Sequence, residues 1–241
     1  MDSGWDDSAQ AWIDRQGLTG DWSRRFVLDP VVLPLIRATG CKSVLDVGCG
    51  EGRLCRLLAK ENLVCTGIDP TAALLARAQQ LDNESNYIEG RAEELPFDDG
   101  SFDLVVSYLS LIDIENYRRG IAEMCRVLKP AGAILVANLN GLNTAGQAIG
   151  WIKNDNGVPQ HYPIDNYLSE HFDWVSWSGI RIRNWHRPLS AYMKAFLECG
   201  LQLSFFDEPR SLDPDAGRSA IFNRAPYFVV MQWLKPVAPK L

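Results

Sequence analysis

An apolar run that contains one acid opens directly into three glycines at alternate positions. The run, residues 44–47, carries Asp46, and the glycines are Gly48, Gly50 and Gly52. Apolar residues at helical spacing follow at once, so the segment predicts a strand, a glycine turn and a helix. Because glycine has no Cβ atom, such a turn can be tight and lets a ligand approach the main chain. The pattern is typical of an α/β sheet that binds a nucleotide-like ligand.

A carboxylate follows at the distance expected for a ribose contact. Residues 63–68 form a second short apolar run, which ends at Asp69, roughly 20 residues after the first glycine. At the tip of a second parallel strand this side chain can accept hydrogen bonds from both ribose hydroxyls. The alternative is a turn acid, because the dipeptide Asp69-Pro70 is of a kind that often opens a helix.

The residues after the second glycine restrict the kind of nucleotide. A dinucleotide-binding turn has a third glycine three residues further on, and this chain has Arg53 there. A P-loop ending in Gly-Lys-Ser or Gly-Lys-Thr does not occur in the sequence. The pattern therefore disfavours a nucleoside triphosphatase and a nicotinamide-dependent oxidoreductase, and the oxidoreductase is kept as the alternative enzyme class.

The spacing of the acid and the glycines carries a resemblance to a known family. The arrangement Asp46-x-Gly48-x-Gly50-x-Gly52 resembles motif I of the class I S-adenosylmethionine-dependent methyltransferases. The cofactor of that family has no phosphates, only an adenosine and a methionine zwitterion. The resemblance therefore implies S-adenosyl-L-methionine as the cofactor.

Three later segments extend the resemblance in the order the family has them. Residues 90–97 are similar to the loop that lies along the adenine, residues 99–107 to the fourth strand, and residues 126–136 to the turn and fifth strand. Ala131 stands where the family usually has the first of two glycines, a mild departure. Over residues 43–139 the chain is identified as similar to the small-molecule methyltransferases with a methyltransferase type 11 domain.

The resemblance implies a set of cofactor contacts. They are Arg24, Asp46, Gly48, Cys49, Gly50, Asp69, Pro70, Ala92, Glu93, Ser107 and Tyr108. In similar methyltransferases a basic residue ahead of the helix before the first strand reaches the methionine carboxylate, which is the role expected of Arg24. Arg25 is the alternative candidate. Either arginine can instead be a solvent-exposed side chain with no role in the site.

The resemblance also implies a reaction, in which a methyl group passes to an oxygen or nitrogen of a small-molecule acceptor. A non-catalytic S-adenosylmethionine-binding protein is the alternative. Such an acceptor can need a base, and histidine suits because its pKa of about 6.5 is near working pH. His186 and His161 are the candidates, although His186 can instead bond the backbone and orient its segment. Tyr108 can orient the acceptor or pack, and Asn138 and Asn140 are further polar candidates at the end of the fifth strand.

Alternation of apolar runs and helical patterns predicts a doubly wound α/β fold with a mainly parallel sheet. The resemblance implies a seven-stranded Rossmann-like sheet with the last strand antiparallel. We predict a single domain of four segments: an N-terminal helical lid (1–40), a cofactor-binding core (41–139), a substrate-cap insert (140–186), and a C-terminal helix and strand hairpin (187–241). The insert breaks the alternation, and its tryptophans and tyrosines either stack on a substrate or form its own core.

Composition restricts the partners and the compartment. The net charge of −6 over 241 residues, without a basic stripe, disfavours nucleic acid as a partner. The six cysteines lack paired CxxC spacing, the acidic first residues lack a signal-peptide pattern, and no apolar stretch reaches the length of a membrane span. We therefore expect a cytoplasmic monomer or homodimer with reduced thiols and no membrane partner. Three scattered histidines do not indicate a metal site.

Overall fold

The structure is a computed structural model that describes residues 3–237, and its strands and helices alternate along most of the chain. In chain order the strands are β1 Ser43–Val47, β2 Val64–Asp69, β3 Asn86–Glu89, β4 Phe102–Tyr108, β5 Leu128–Leu139, β6 Ile152–Lys153, β7 Pro159–His161, β8 His171–Trp177, β9 Ile180–His186, β10 Gln202–Asp207 and β11 Phe228–Leu234. The helices are α1 Trp5–Gln16, α2 Asp29–Thr39, α3 Arg53–Ala59, α4 Ala72–Leu81, α5 Tyr117–Val127, α6 Gly141–Gly146, α7 Leu189–Glu198 and α8 Ala216–Phe222, and a π-helical turn, Arg24–Leu28, leads into α2.

Within the described residues, seven strands form one sheet in the order β10-β11-β5-β4-β1-β2-β3. Strands β1 to β5 are parallel, whereas β11 runs antiparallel to both β5 and β10. This confirms the predicted doubly wound sheet with an antiparallel last strand. The chain leaves β1 toward β2 on one side and returns to β4 on the other, so the carboxyl ends of β1 and β4 meet at a topological switch point. Ligands of open α/β sheets bind at such a point.

The core lies on both faces of the sheet. Neighbouring residues of one strand point to opposite faces, so Leu45 belongs to a cluster with α5 and α7, and Val44 to a cluster with α2, α3 and α4. Trp233 on β11 is fully buried and stacks on Phe196 of α7, with ring centroids 4.9 Å apart. Packing on both faces holds the strand ends at the switch point in fixed positions.

The segment without a predicted pattern, residues 140–186, has structure of its own. It contains α6 and two hairpins, β6–β7 and β8–β9, and in the longer hairpin His171 pairs with His186 at one end and Trp177 with Ile180 at the other. Helix α8 was likewise not predicted, and β5 begins several residues earlier than its apolar run. These elements depend on contacts with distant segments rather than on a local apolar period.

The N-terminal residues and the insert pack on each other. Ser8 of α1 donates its hydroxyl to the carbonyl of Arg181 and accepts from the Arg181 amide, at 3.0 and 2.9 Å, and the Arg183 amide donates to the carbonyl of Ser3 at 3.0 Å. We call α1 with the residues just before it, together with the β8–β9 hairpin, the cover. The predicted N-terminal and C-terminal segments also include residues 1–2 and 238–241, which lie outside the described residues. No helix among residues 3–237 is long and apolar enough to cross a bilayer.

Candidate active site

A cavity of about 160 Å³ opens at the switch point, between the sheet edge and the cover. All of the predicted cofactor contacts line it except Ser107. Residues from α1, the ends of β1, β2 and β4, the loop after β3, and β9 also contribute to its wall. Segments that are far apart in the chain therefore meet around one space.

The glycine turn after β1 forms one wall of this cavity. The amides of Gly48 and Cys49 both donate to the carbonyl of Ile68 at the end of β2, at 2.8 and 3.1 Å. Gly48 and Gly50 have left-handed φ angles of 75° and 54°. A Cβ atom on Gly48 would lie 2.3 Å from that of Ser110, whereas one on Gly50 would meet nothing closer than 3.9 Å. Glycine at 48 is required by packing, and glycine at 50 leaves the main chain open to a ligand.

Asp69 lies at the end of β2 and is buried beside this turn. Its Oδ2 accepts from the amide of Gly50, and its Oδ1 accepts from the amide of Thr71, both at 2.9 Å. The bond from the Thr71 amide is the contact expected if Asp69 is a turn acid before Pro70. Asp69 therefore both stabilises the turn and lines the cavity. Each carboxylate oxygen accepts more than one hydrogen bond, which leaves capacity for a diol. Burial raises the pKa of this carboxyl.

Asp46 is a buried acid with an unused oxygen. It lies on β1, 3% exposed, and its Oδ1 has no hydrogen-bond partner. Burial first, and then the charge of Asp69, raises the pKa of Asp46 to about 7, while Arg24 acts in the opposite direction. Because an unpaired buried oxygen is costly, this atom suits a cationic or N–H-bearing ligand group.

Arg24 reaches the cavity from the π-helical turn. Its guanidinium pairs with Asp21 at 2.5 Å and lies 5.0 Å from the centre of the Trp12 ring and 5.6 Å from that of Tyr108. Arg25 is exposed, lies over Phe26, and does not line the cavity. The structure therefore favours Arg24 over its neighbour as the cationic group of the site.

Arg53 occupies the position at which a dinucleotide site would have a glycine. Its guanidinium contacts both carboxylate oxygens of Asp29, and its Nε donates to the carbonyl of Thr19 at 2.9 Å. The hydroxyl of Tyr108 donates to Asp29 Oδ1 at 2.8 Å. A bulky, engaged arginine closes the space that a pyrophosphate needs, in agreement with a cofactor that has no phosphates.

Comparison with known families agrees with this geometry. Residues 45–136, from β1 to β5, match the model of the methyltransferase domain described as Methyltransf_11. Residues 45–136 therefore form a class I S-adenosylmethionine-dependent methyltransferase domain. This assignment removes the nicotinamide-dependent oxidoreductase as an alternative.

Similar proteins extend the match beyond the matched domain. A demethylmenaquinone methyltransferase of Renibacterium salmoninarum is 29% identical over 77% of this chain and 85% of its own length. A malonyl-[acyl-carrier protein] O-methyltransferase of Pectobacterium atrosepticum is 30% identical over 56% of this chain and 55% of its own length, so the chain spans about half of that relative. An S-adenosylmethionine-dependent methyltransferase structure from Mesorhizobium loti has a TM-score of 0.75 at 24% identity, covering 90% of this chain and 100% of the other, and shows the same fold.

The residues around the cavity fit this cofactor. S-adenosylmethionine, when bound, supplies a methyl group that is already electrophilic because it is attached to a sulfonium. The unpaired Oδ1 of Asp46 suits the cationic methionine end, the open main chain at Gly50 admits it, and Asp69 suits the ribose. Arg24 would hold the methionine carboxylate, and Ala92 and Glu93 in the loop after β3 would lie along the adenine.

The structure contradicts the base role of His186. Although β9 carries it, the residue is 1% exposed and does not line the cavity. Its Nε2 lies 2.9 Å from the carbonyl of Tyr167 and its Nδ1 lies 2.7 Å from the hydroxyl of Thr144. A neutral ring with its proton on Nε2 satisfies both contacts, and burial lowers its pKa. His186 therefore fastens the insert, which was the alternative interpretation.

The other residues predicted to act on the acceptor either lie outside the cavity wall or have their polar group engaged by another residue. His161 is exposed on β7, outside the cavity wall. The ring of Tyr108 lines the cavity, but its hydroxyl is engaged by Asp29, so the prediction that it orients the acceptor is not supported. Asn138 is buried outside the wall, and Asn140 caps α6 by accepting from the amide of Leu142.

The prediction that Ser107 contacts the cofactor is wrong, because Ser107 does not line the cavity. Its hydroxyl lies 2.8 Å from that of Ser110, and it is Ser110 that lines the cavity and bonds the carbonyl of Val47. Ser107 points away because alternate residues of a strand face opposite sides, and the loop that follows β4 folds back over the glycine turn. The serine pair holds that loop against β1.

Sequence reasoning did not single out Asp113 and Arg183, which both line the cavity. Asp113 follows the end of β4, where its position beyond a central strand was a usable signal. It accepts from Trp5 Nε1 at 3.2 Å and from Asn184 Nδ2 at 2.8 Å. Arg183 on β9 donates to Glu115 at 2.9 Å, and no local pattern in the insert marked it.

Proposed function

We propose that this methyltransferase transfers the methyl group of S-adenosylmethionine to an oxygen or nitrogen of a small-molecule acceptor. One observation carries the proposal: the cofactor-side residues Asp46 and Asp69 line the same cavity as Trp5, Asp113 and Arg183 of the cover and the β4 loop. A site that only held the cofactor would not need these additional polar and aromatic residues opposite the cofactor side.

The wall has a specific task in such a reaction. The chain has to hold the acceptor atom in line with the bond to the methyl group and keep water away. Positioning of this kind is worth up to roughly 7–11 kcal/mol. The T-shaped pair of Trp5 and Trp12, with ring centroids 5.1 Å apart, supplies a rigid apolar surface for that purpose.

The comparisons and the composition support a small acceptor. The similar proteins include methyltransferases named for the small molecules demethylmenaquinone and norajmaline, and one named for malonyl-[acyl-carrier protein], a small group carried by a protein. A net charge of −6 suits such acceptors better than nucleic acid. Six free thiols suit the reducing cytoplasm, and we propose a monomer or homodimer there.

Calorimetric titration with S-adenosylhomocysteine tests the cofactor half of the proposal. We expect the wild type to bind it and Asp69→Ala to bind at least about tenfold more weakly, a loss of roughly 1.4 kcal/mol. Asp155→Asn, an exposed acid in the insert, is the control and leaves the affinity unchanged. Binding of NAD in place of S-adenosylhomocysteine by the folded wild type contradicts the proposal.

An acceptor screen tests the other half. Amines, phenols, alcohols and carboxylic acids are incubated with S-adenosylmethionine and the enzyme, and products are detected by the added mass of one methylene group. Methylation at oxygen or nitrogen supports the proposal. Cofactor binding without any product over the whole panel favours the alternative, a non-catalytic S-adenosylmethionine-binding protein.

A further inference from the structure

Asp113 is an acid in the cavity wall without a cationic partner in contact. It is partly buried and receives hydrogen bonds from two neutral donors, Trp5 Nε1 on Oδ2 and Asn184 Nδ2 on Oδ1. None of the ion pairs found among residues 3–237 includes it. A carboxylate offers about four acceptor positions, so the two donors leave room for a further N–H or O–H.

Burial makes this carboxyl easy to protonate, and the neighbouring charges act on its pKa in opposite directions. Asp69 on β2 is the like charge that acts on it, and Arg187, just after β9, is the opposing cation. Arg187 is engaged with the carbonyls of Leu111, Ile114 and Glu115, whereas Arg183 in the same cavity wall pairs with the Glu115 side chain. Burial is the largest effect and raises the pKa of Asp113 to about 7.

The two donors also fix where the carboxylate lies. Trp5 belongs to α1 and Asn184 to β9, the two halves of the cover, and the Asp113 amide donates to the carbonyl of Ser110 at 2.9 Å. Ser110 packs against Gly48 of the cofactor turn. Asp113 is thus held at the junction of the cofactor wall and the cover, and both of its oxygens have a defined orientation.

We propose that Asp113 binds the proton-bearing nucleophile of the acceptor, an N–H or O–H group, and takes its proton during methyl transfer. The inference rests on the proposed function. The acceptor's nitrogen or oxygen forms a bond to the methyl carbon, the carbon–sulfur bond breaks with its electron pair left on sulfur, and the acceptor's proton moves to a carboxylate oxygen of Asp113.

The proposal restricts the acceptor class. Amines, and hydroxyls acidic enough to lose a proton to a carboxylate, such as phenols and enols, satisfy it. A carboxylate acceptor has no proton to give and would place a like charge against Asp113, which is unfavourable in a site shielded from water. The aromatic surface of Trp5 beside Asp113 suits a ring attached to the nucleophile.

An analogue titration tests this without knowledge of the acceptor. Sinefungin carries an amine where the cofactor carries its methyl group, and S-adenosylhomocysteine carries neither. If Asp113 faces the methyl position, the wild type binds sinefungin at least about tenfold more tightly than S-adenosylhomocysteine at pH 8, equal to about 1.4 kcal/mol. Asp113→Asn should remove that preference and keep the affinity for S-adenosylhomocysteine.

The matched control is Asp155→Asn, which makes the same chemical change at an exposed position of the insert and should keep the preference. A folded Asp113→Asn variant that still prefers sinefungin overturns the proposal. Failure of the wild type to bind S-adenosylhomocysteine instead overturns the proposed function, so the two failures are distinct.

A pH series gives a second readout that does not depend on Asp113→Asn folding. The preference of the wild type for sinefungin should rise from pH 6 to pH 8 as Asp113 loses its proton. Trp5→Phe keeps an aromatic side chain but removes the indole N–H that favours the ionised form of Asp113, so it should shift this rise to higher pH. A preference that does not change with pH in either protein counts against the proposal.

Discussion

The guanidinium of Arg53, which lines the cavity, and the carboxylate of Asp29 form a buried ion pair, with Nη1 3.1 Å from Oδ1. Arg53 begins α3 directly after the glycine turn, and Asp29 begins α2. The pair therefore fixes the N-terminal helices to the cofactor turn. It also holds Arg24, which lies in the π-helical turn just before α2, at the cavity.

We expect Asp29→Ala to destabilise the protein strongly. The substitution removes one partner of a buried ion pair and leaves the Arg53 charge and the Tyr108 hydroxyl without the carboxylate that they contact. We expect the free energy of unfolding to fall by about 3–5 kcal/mol. Urea denaturation measures it. Glu61→Ala, which breaks the exposed pair of Arg37 and Glu61, is the control and should change the midpoint far less.

Arg24→Met should weaken binding of ligands that have a methionine carboxylate. We expect S-adenosylhomocysteine to bind about tenfold more weakly, a loss of roughly 1.4 kcal/mol, because one charge-assisted contact is removed. Methylthioadenosine, which lacks the amino acid moiety, should bind both proteins equally. Arg25→Met is the matched control, and a selective loss in that variant would assign the role to Arg25.

The cofactor half of the site follows from local sequence, whereas the acceptor half does not. Gly48, Gly50 and Asp69 could be placed because a strand, a tight turn and a second strand impose fixed spacings. Asp113 obtains its orientation from Trp5 and Asn184, which are 108 and 71 residues away in the chain. Such contacts depend on tertiary packing, which no spacing rule records.

The wrong prediction for His186 has the same physical reason. The sequence shows that His186 is a histidine placed before a helix, but it does not show which groups contact the ring. Tyr167 and Thr144 occupy both ring nitrogens, and the residue is turned away from the cavity. The fold of the core was predictable because its apolar runs repeat, and the irregular insert was not.

Stability should depend on pH through Asp46. Its pKa is raised to about 7 in the folded protein, against about 3.9 in an unfolded chain, so the folded state holds an extra proton between these values. The free energy of unfolding therefore falls as pH rises through this window, by about 2 kcal/mol from pH 5 to pH 7.5 for this group. Urea titrations at several pH values on Asp46→Asn should show that the fall is smaller, and Asp155→Asn should match the wild type.

His186→Ala should lower stability without changing cofactor affinity. The carbonyl of Tyr167 loses its donor, and the hydroxyl of Thr144 keeps only its contact with the carbonyl of Gly141, which together cost about 1–3 kcal/mol of stability in a buried setting. Thermal unfolding and titration with S-adenosylhomocysteine measure the two quantities separately. His161→Ala should change neither, since that side chain is exposed, and a loss of affinity in His186→Ala would show a direct role in the site.

The backbone bond between Ser3 and Arg183, and the bonds of the Ser8 hydroxyl to the backbone of Arg181, join the two parts of the cover, which are far apart in the chain. Acceptor preference is consequently not a module that can be transplanted with the insert alone. A chimera that exchanges residues 140–186 for those of a relative would lose its register with α1 and present a mismatched wall. Redesign of the preference has to exchange both segments together, as one unit that is discontinuous in sequence.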